Sequence, residues 1–292
     1  LYEWRRKVAR LSGSFRQYQQ PYLTPDHPLS GKALFLYPEQ GLGDFIQFIR
    51  FIPELLQQDS SVLLKTPRSL TQLVRAAFPD VSIIDSEDCP PQFDAHCSVI
   101  SLPYVLQTTP EKVSGARYLT ADPEKIASWQ ERLGERQCGR VGIVWSGNID
   151  HKNDHNRSVS LSDMLSIIDP SYEWHSLQVQ YRKDDEVTLS ENPLIQDHRA
   201  ELTDFSETAA LIECMDLVIT VDTSVAHLAG ALGKPVWILV PKVPDFRWMM
   251  DSSQTIWYDS ARLYRQPIEG DWQSVFQQIG SDLTKAIELK NQ

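Results

Sequence analysis

Cysteine is scarce in this sequence. Four occur in 292 residues, Cys89, Cys97, Cys138 and Cys214, and no two stand in a C-x-x-C spacing. This argues against a disulfide framework or a structural zinc, and the thiols read as reduced and partly buried in a cytoplasmic protein. Apolar runs are short, and none approaches the ~20 residues that a membrane-crossing helix needs. The opening LYEWRRKVAR carries charge but no apolar stretch of the signal-peptide kind. Basic charge is in deficit, 28 Lys and Arg against 39 Asp and Glu, giving −11. An acidic chain lacks the basic stripe that tracks a nucleic-acid backbone. Also missing are G-x-G-x-x-G and the Walker lysine, which weakens the common phosphate-loop readings. His151 and His155 stand four apart but in a loop, so no metal site is expected.

What is present suits a folded protein of two domains. Hydrophobic residues make up 41%, with ten Phe, ten Tyr and eight Trp. That suffices for a full core, and the length fits two α/β domains of roughly 100–150 residues. Residues 1–30 begin amphipathic and turn proline-rich, as a linker leaving a helix. The opening Tyr2-Glu3-Trp4-Arg5 reads as the end of a helix cut from something longer, so a further N-terminal region is expected.

From residue 33 the pattern alternates between buried strand and helix. Ala33–Tyr37 is a continuous apolar run, as in a parallel strand covered on both faces. A turn follows, then an amphipathic helix over about 44–57 with Phe45, Phe48, Ile49, Ile52 and Leu56 on one face. Strands are expected near 61–65, 81–84 and 96–100, with a helix near 69–78. A helix near 123–133 leads to a second series with strands near 141–145, 174–179, 217–221 and 236–240. Asp204 with Glu207 resembles a capping box before a helix. A last amphipathic helix covers about 271–289. Two such series predict two Rossmann-like domains facing a cleft, with ligands at the carboxyl ends of the strands.

Three segments sit at such ends. Gly41, Gly43 and Asp44 follow the first strand; the glycines allow tight turning. Asp44 is either a helix N-cap or a general base for a hydroxyl. Asp222, Thr223, Ser224 and His227 open a helix of small residues. They form either a plain strand–cap–helix with a core histidine or a diphosphate site at free N–H groups. Ser146, Gly147, Asn148 and Arg157 lie in a polar loop, either solvated or clamping phosphate through the Arg157 fork. Gln178 ends a strand, as a base reader or a structural residue. Asp245 and Trp248 lie in a polar-aromatic turn that either binds ligand or pairs Asp245 with Arg247.

EQGLGD, WSGN followed by H-x-N-D-x-N-R-S, SLQ, VDTSVAHLAGALGKPVW and D-F-R-W…WY…ARLYRQ together resemble a glycosyltransferase module linked to tetratricopeptide repeats in bacterial proteins. That module is similar to the heptosyltransferases. The resemblance implies the GT-B fold, with an acceptor domain over 31–122 and a nucleotide-sugar domain over 123–270. The helix at 271–292 is expected to pack back on the N-terminal domain. It implies Asp44 as base, and Asp222, Thr223, Ser224, His227 and Arg157 around the diphosphate. Gly41, Gly43, Ser146, Gly147, Asn148, Gln178, Asp245 and Trp248 complete the expected nucleotide-sugar site. Ser224 stands where heptosyltransferases usually have Gly. The implied activity is inverting transfer from a nucleotide sugar to a protein or glycan hydroxyl, with no further cofactor; absence of Asp-x-Asp argues against an obligatory metal. The alternatives are a sugar-nucleotide epimerase of the same fold and a non-catalytic binding module.

Overall fold

The computed structural model describes residues 2–7, 18–85 and 90–290. Cys89 and part of the expected linker, 8–17, lie outside these residues. The chain forms two compact units, 1–114 with 118–120, and 115–117 with 121–292. No helix of the described residues is long and apolar enough to cross a membrane.

The first unit is built on a parallel sheet: β1 (Ala33–Tyr37), β2 (Ser61–Thr66), β3 (Ser82–Asp85) and β4 (Ala95–Ser98), in the order β3-β2-β1-β4. The β1 run ALFLY is buried from Leu34 on, because neighbours pair on both of its sides and other elements cover its faces. Phe35, Tyr37 and Phe93 form an aromatic core on one face. The helix expected as one piece over 44–57 is broken. It runs Leu42–Phe48, passes through a tight turn at Ile49–Phe51, and resumes at Ile52–Leu56. Pro53 is the physical reason: it has no N–H to give, and its ring crowds the carbonyl of residue 49.

The second unit carries β5 (Gly139–Val144), β6 (Tyr172–Ser176), β7 (Ile195–Asp197), β8 (Leu217–Val221), β9 (Val236–Val240) and β10 (Ala261–Arg265). All pair in parallel, in the order β10-β9-β8-β5-β6-β7. β7 and β10 were not expected from sequence. β7 has three residues, two of them polar, and β10 alternates buried positions with charged ones as an edge strand does. The helix Pro123–Leu133 opens on Asp122, whose carboxylate accepts from Glu124 N–H. Asp204 caps the helix Phe205–Glu213 as expected. Glu207 does not close the box: it ion-pairs with Lys125 and accepts from the Trp129 indole at 2.9 Å.

The last helix, Trp272–Lys290, corrects an expectation. Its Val275, Phe276, Ile279 and Leu283 belong to the second core, with Trp145, Trp174, Ile219 and Tyr264, rather than to the first unit. The recurrence of those four at helical spacing makes one apolar stripe, and the second sheet supplies the matching face. Asp282 fixes the helix to β10 by accepting from Tyr264 at 3.0 Å and pairing with Arg262 at 2.7 Å.

Candidate functional site

In the second sheet the strand order reverses between β5 and β8. After β5 the chain adds β6 and β7 on one side, then returns to place β8 on the other. Such a reversal leaves a crevice at the carboxyl ends, where the loops part in opposite directions. Arg157 lies across this point. Its Nη1 donates to the Asp222 carbonyl at 3.0 Å, so a loop leaving β5 is tied to the first residue after β8.

Arg157 is held from several sides. Its guanidinium lies flat on Gly147; a Cβ there would come within 2.6 Å of Nη2. The Gly147 N–H donates to Ser158 Oγ at 2.9 Å, and Val159 N–H to the Trp145 carbonyl at 2.9 Å. The loop is therefore closed at its base. Asp154, buried, accepts from Ser158 Oγ at 2.6 Å and forms an ion pair with Arg182. Arg157 Nε is 3.7 Å from Asp154 and has no hydrogen-bond acceptor among the described residues. Asp154 thus directs Arg157 while its charge is met mainly by Arg182.

Beside it stands the helix Ser224–Ala231. Thr223 holds the N-cap position but does not cap: its hydroxyl pairs with Thr220 Oγ1 at 3.2 Å. The first-turn N–H groups keep their positive end toward the carboxyl edge of the sheet. Ser224 is half-buried at the first position of this helix. His227 is buried one turn on. Its Nδ1 hydrogen-bonds Tyr258 Oη at 2.8 Å, and Trp248 stacks on its ring at 5.3 Å. Gly230 permits this arrangement, since a Cβ would come within 2.4 Å of the Tyr258 ring.

The electrostatics are those of two carboxyls near Arg157, one of which, Asp245, also pairs with Arg247. Burial pushes the Asp222 carboxyl up to about 6, and Asp245 adds to the rise; the Trp248 indole and Arg157 oppose it. Burial also raises Asp245, against the pull of the Arg247 N–H, His151 and Arg157. His151 is lowered, by burial first and then by Arg157. Asp222, Asp245, His151 and Arg157 therefore share one field.

Several expected residues make internal contacts. Gln178 is spent internally: Nε2 donates to the Ser146 carbonyl, Ser146 Oγ and the Gln180 carbonyl, and Oε1 accepts from Ser146 N–H. It clamps Ser146, which is itself buried. Asn148 is exposed and folds onto its own loop, accepting from Asp150 N–H at 3.0 Å. Trp248, expected to touch the donor, has no exposed surface, because it packs beneath His227. Asp245 accepts from Arg247 Nη1 at 2.5 Å, the local pairing weighed in the sequence.

In the first unit, Gly41 caps the helix Leu42–Phe48 with an extended backbone, φ −70°, and Gly43 lies inside the helix; neither takes a left-handed conformation. Asp44 is the third helical residue and not the N-cap. Its Oδ2 accepts from Gly41 N–H at 2.9 Å, and a Cβ on Gly41 would crowd that oxygen at 3.3 Å. Asp44 thus closes the turn from inside the helix.

Residues missed by sequence reasoning are Arg182, Tyr258 and Asp154 as a director of Arg157. Asp154 and Tyr258 stood in quoted motifs, but nothing local names their distant partners.

Residues 199–239, which carry β8, Asp222 to His227 and most of β9, match the sequence profile of glycosyltransferase family 9 (heptosyltransferase). A glycosyl transferase family 9 protein of Veillonella parvula shares the fold, with TM-score 0.61 at 12% identity over 90% of this chain and 92% of that one. The E. coli ADP-heptose LPS heptosyltransferase II has TM-score 0.61 at 14% identity, over 89% of this chain and all of that one. Protein FlbA of Caulobacter vibrioides is 24% identical over 87% of this chain and 47% of its own length. The chain thus spans about half the length of that curated relative. The α/β architecture with two parallel sheets is that of the heptosyltransferases, and the family 9 segment supports a glycosyltransferase.

Proposed function

We propose that the chain transfers a glycosyl group from a nucleoside-diphosphate sugar to an acceptor hydroxyl, with inversion and without an obligatory metal ion. One observation carries this reading most: Arg157 is locked at the β5/β8 reversal, beside an N-terminus that no side chain caps. A guanidinium fork and free helical N–H groups are the two common protein devices for phosphate oxygens. The shared fold of the E. coli ADP-heptose LPS heptosyltransferase II supports a nucleoside diphosphate as the leaving group.

The step balances as a single displacement. The acceptor oxygen bonds to the anomeric carbon while the bond from that carbon to the diphosphate breaks. Asp44 takes the hydroxyl proton, and the diphosphate leaves toward Arg157 and the Ser224 helix. Groups that oppose the charge as it develops lower the barrier. The lack of Asp-x-Asp supports metal independence. The sequence likeness to repeat-linked modules favours a protein hydroxyl in the cytoplasm as acceptor, with a lipopolysaccharide sugar as second choice.

The test is Asp44→Asn. A thermal-shift panel of nucleotides and sugar nucleotides first identifies the donor class, since a ligand specific to the native state raises the melting temperature. Asp44→Asn then abolishes transfer and keeps that shift. Loss of both, or of neither, rejects the assignment. Donor turnover without any acceptor points to an epimerase instead.

A further inference from the structure

We infer that Arg5 is a positioning residue that fixes the loop carrying Asp44. The first sheet, like the second, reverses its strand order, here between β1 and β4. The loops leaving these two strands carry Glu39 and Ser101. Arg5 joins them. Its Nε donates to Glu39 Oε1 and its Nη2 to Oε2, both at 2.7 Å, and Nη2 also donates to Ser101 Oγ at 2.8 Å. Nη1 meets Glu3 at 2.6 Å, Ser101 Oγ donates to Glu3 at 2.8 Å, and the Tyr22 hydroxyl bonds Ser101 Oγ at 2.7 Å. The Arg5 and Glu39 side chains are only 6% and 4% exposed. Each unit thus has an arginine across its reversal point, Arg157 in the second and Arg5 in the first.

The geometry reaches Asp44 by a short path. Glu39 precedes Gly41 by two residues, and the Gly41 N–H holds the Asp44 carboxylate at 2.9 Å. A two-bond fork on Glu39 sets the direction of that backbone as well as its position. A buried ion pair is a weak source of net stability, because desolvation offsets most of the attraction. What the fork does supply is a fixed register between the segment Tyr2–Lys7 and the loop after β1. Lysine carries the charge but not the fork.

This inference rests on the reading of Asp44 as the base, and the experiment separates the two. Arg5→Gln, Arg5→Lys and Glu39→Gln are made in the full chain; Glu39→Gln keeps one acceptor and serves if Arg5→Gln does not fold. Amide hydrogen exchange is followed at residues 39–44 and across the second sheet. In Arg5→Gln, exchange at 39–44 rises at least ~10-fold while the second sheet is unchanged, as for a local opening. Transfer at saturating substrate falls ~100-fold, the scale of an ångström misplacement, with the donor KM nearly constant. Arg5→Lys falls between. Unchanged exchange at 39–44, or a rise spread evenly over both units, overturns the inference. If the loop loosens but Asp44→Asn still transfers, Arg5 keeps its hold on the loop and Asp44 loses its role as base.

Discussion

Arg157 donates from Nη1 to the main-chain carbonyl of Asp222 at 3.0 Å, so a side chain from the loop after β5 fixes the backbone after β8. The bond uses one end of the guanidinium and leaves Nε without a hydrogen-bond acceptor among the described residues. The pairing with Asp222 sets the orientation of the guanidinium, and Nε is buried 3.7 Å from Asp154.

Arg157→Ala should therefore weaken nucleoside-diphosphate binding by roughly 30-fold or more, the lower end for losing a buried charged hydrogen-bond partner. Arg157→Lys should restore little, because an ammonium cannot lie flat on Gly147 and reach the Asp222 carbonyl at once. Calorimetric titration with the nucleotide found by thermal shift measures both. Affinities within about twofold of the parent protein would reject Arg157 as the anion contact.

Gly230→Ala should destabilise the second unit by about 1–3 kcal/mol, the usual cost of an extra methyl in a packed interior. The new Cβ would overlap the Tyr258 ring, which is itself almost wholly buried. Tyr258→Phe removes only the hydroxyl bonded to His227. It should cost about 1 kcal/mol and leave the helix in place. Urea unfolding of the two variants separates packing from hydrogen bonding. An unperturbed Gly230→Ala midpoint would contradict the close contact.

Stability should depend on pH through Asp222. Its carboxyl is raised to about 6 by burial, from an ordinary value of 3.8. A raised acid adds stability that is fully present below the ordinary value and is lost as pH climbs through about 6. Asp222→Asn removes this dependence. At pH 8 the variant should be more stable than the parent by about 1–2 kcal/mol, and at pH 3.5 no different. Denaturant melts at the two pH values decide it; a variant less stable at pH 8 would show that Arg157 outweighs burial.

Much of the fold was legible because buried parallel strands must be apolar along their length. Ala33–Tyr37, Leu217–Val221 and Val236–Val240 read as strands for that reason alone. The misses follow from the same rule. Ala261–Arg265 pairs on one side only, so it carries arginines at both ends of an apolar centre and loses the signature. For the site, chain order located the loops but not the contacts within them. Gln178 and Trp248 lie where ligand contacts were expected, yet one is consumed by Ser146 and the other is sealed under His227. Arg5 with Glu39, Arg182 with Asp154, and Tyr258 with His227 join positions 34, 28 and 31 apart. No local pattern announces such partners, since each residue alone is an ordinary polar or aromatic side chain.

Thr223 turns its hydroxyl to Thr220 instead of to the helix it precedes. In folding terms this is local frustration, tolerated at one place in an otherwise consistent second unit. Capping by Thr223 would add about 1 kcal/mol to the free protein. It would also set the protein's own oxygen against any incoming anion for the same N–H groups. The second unit thus forgoes some intrinsic rigidity at this edge, and on the proposed function the backbone near residue 223 should be the part whose motions quieten most on addition of nucleotide.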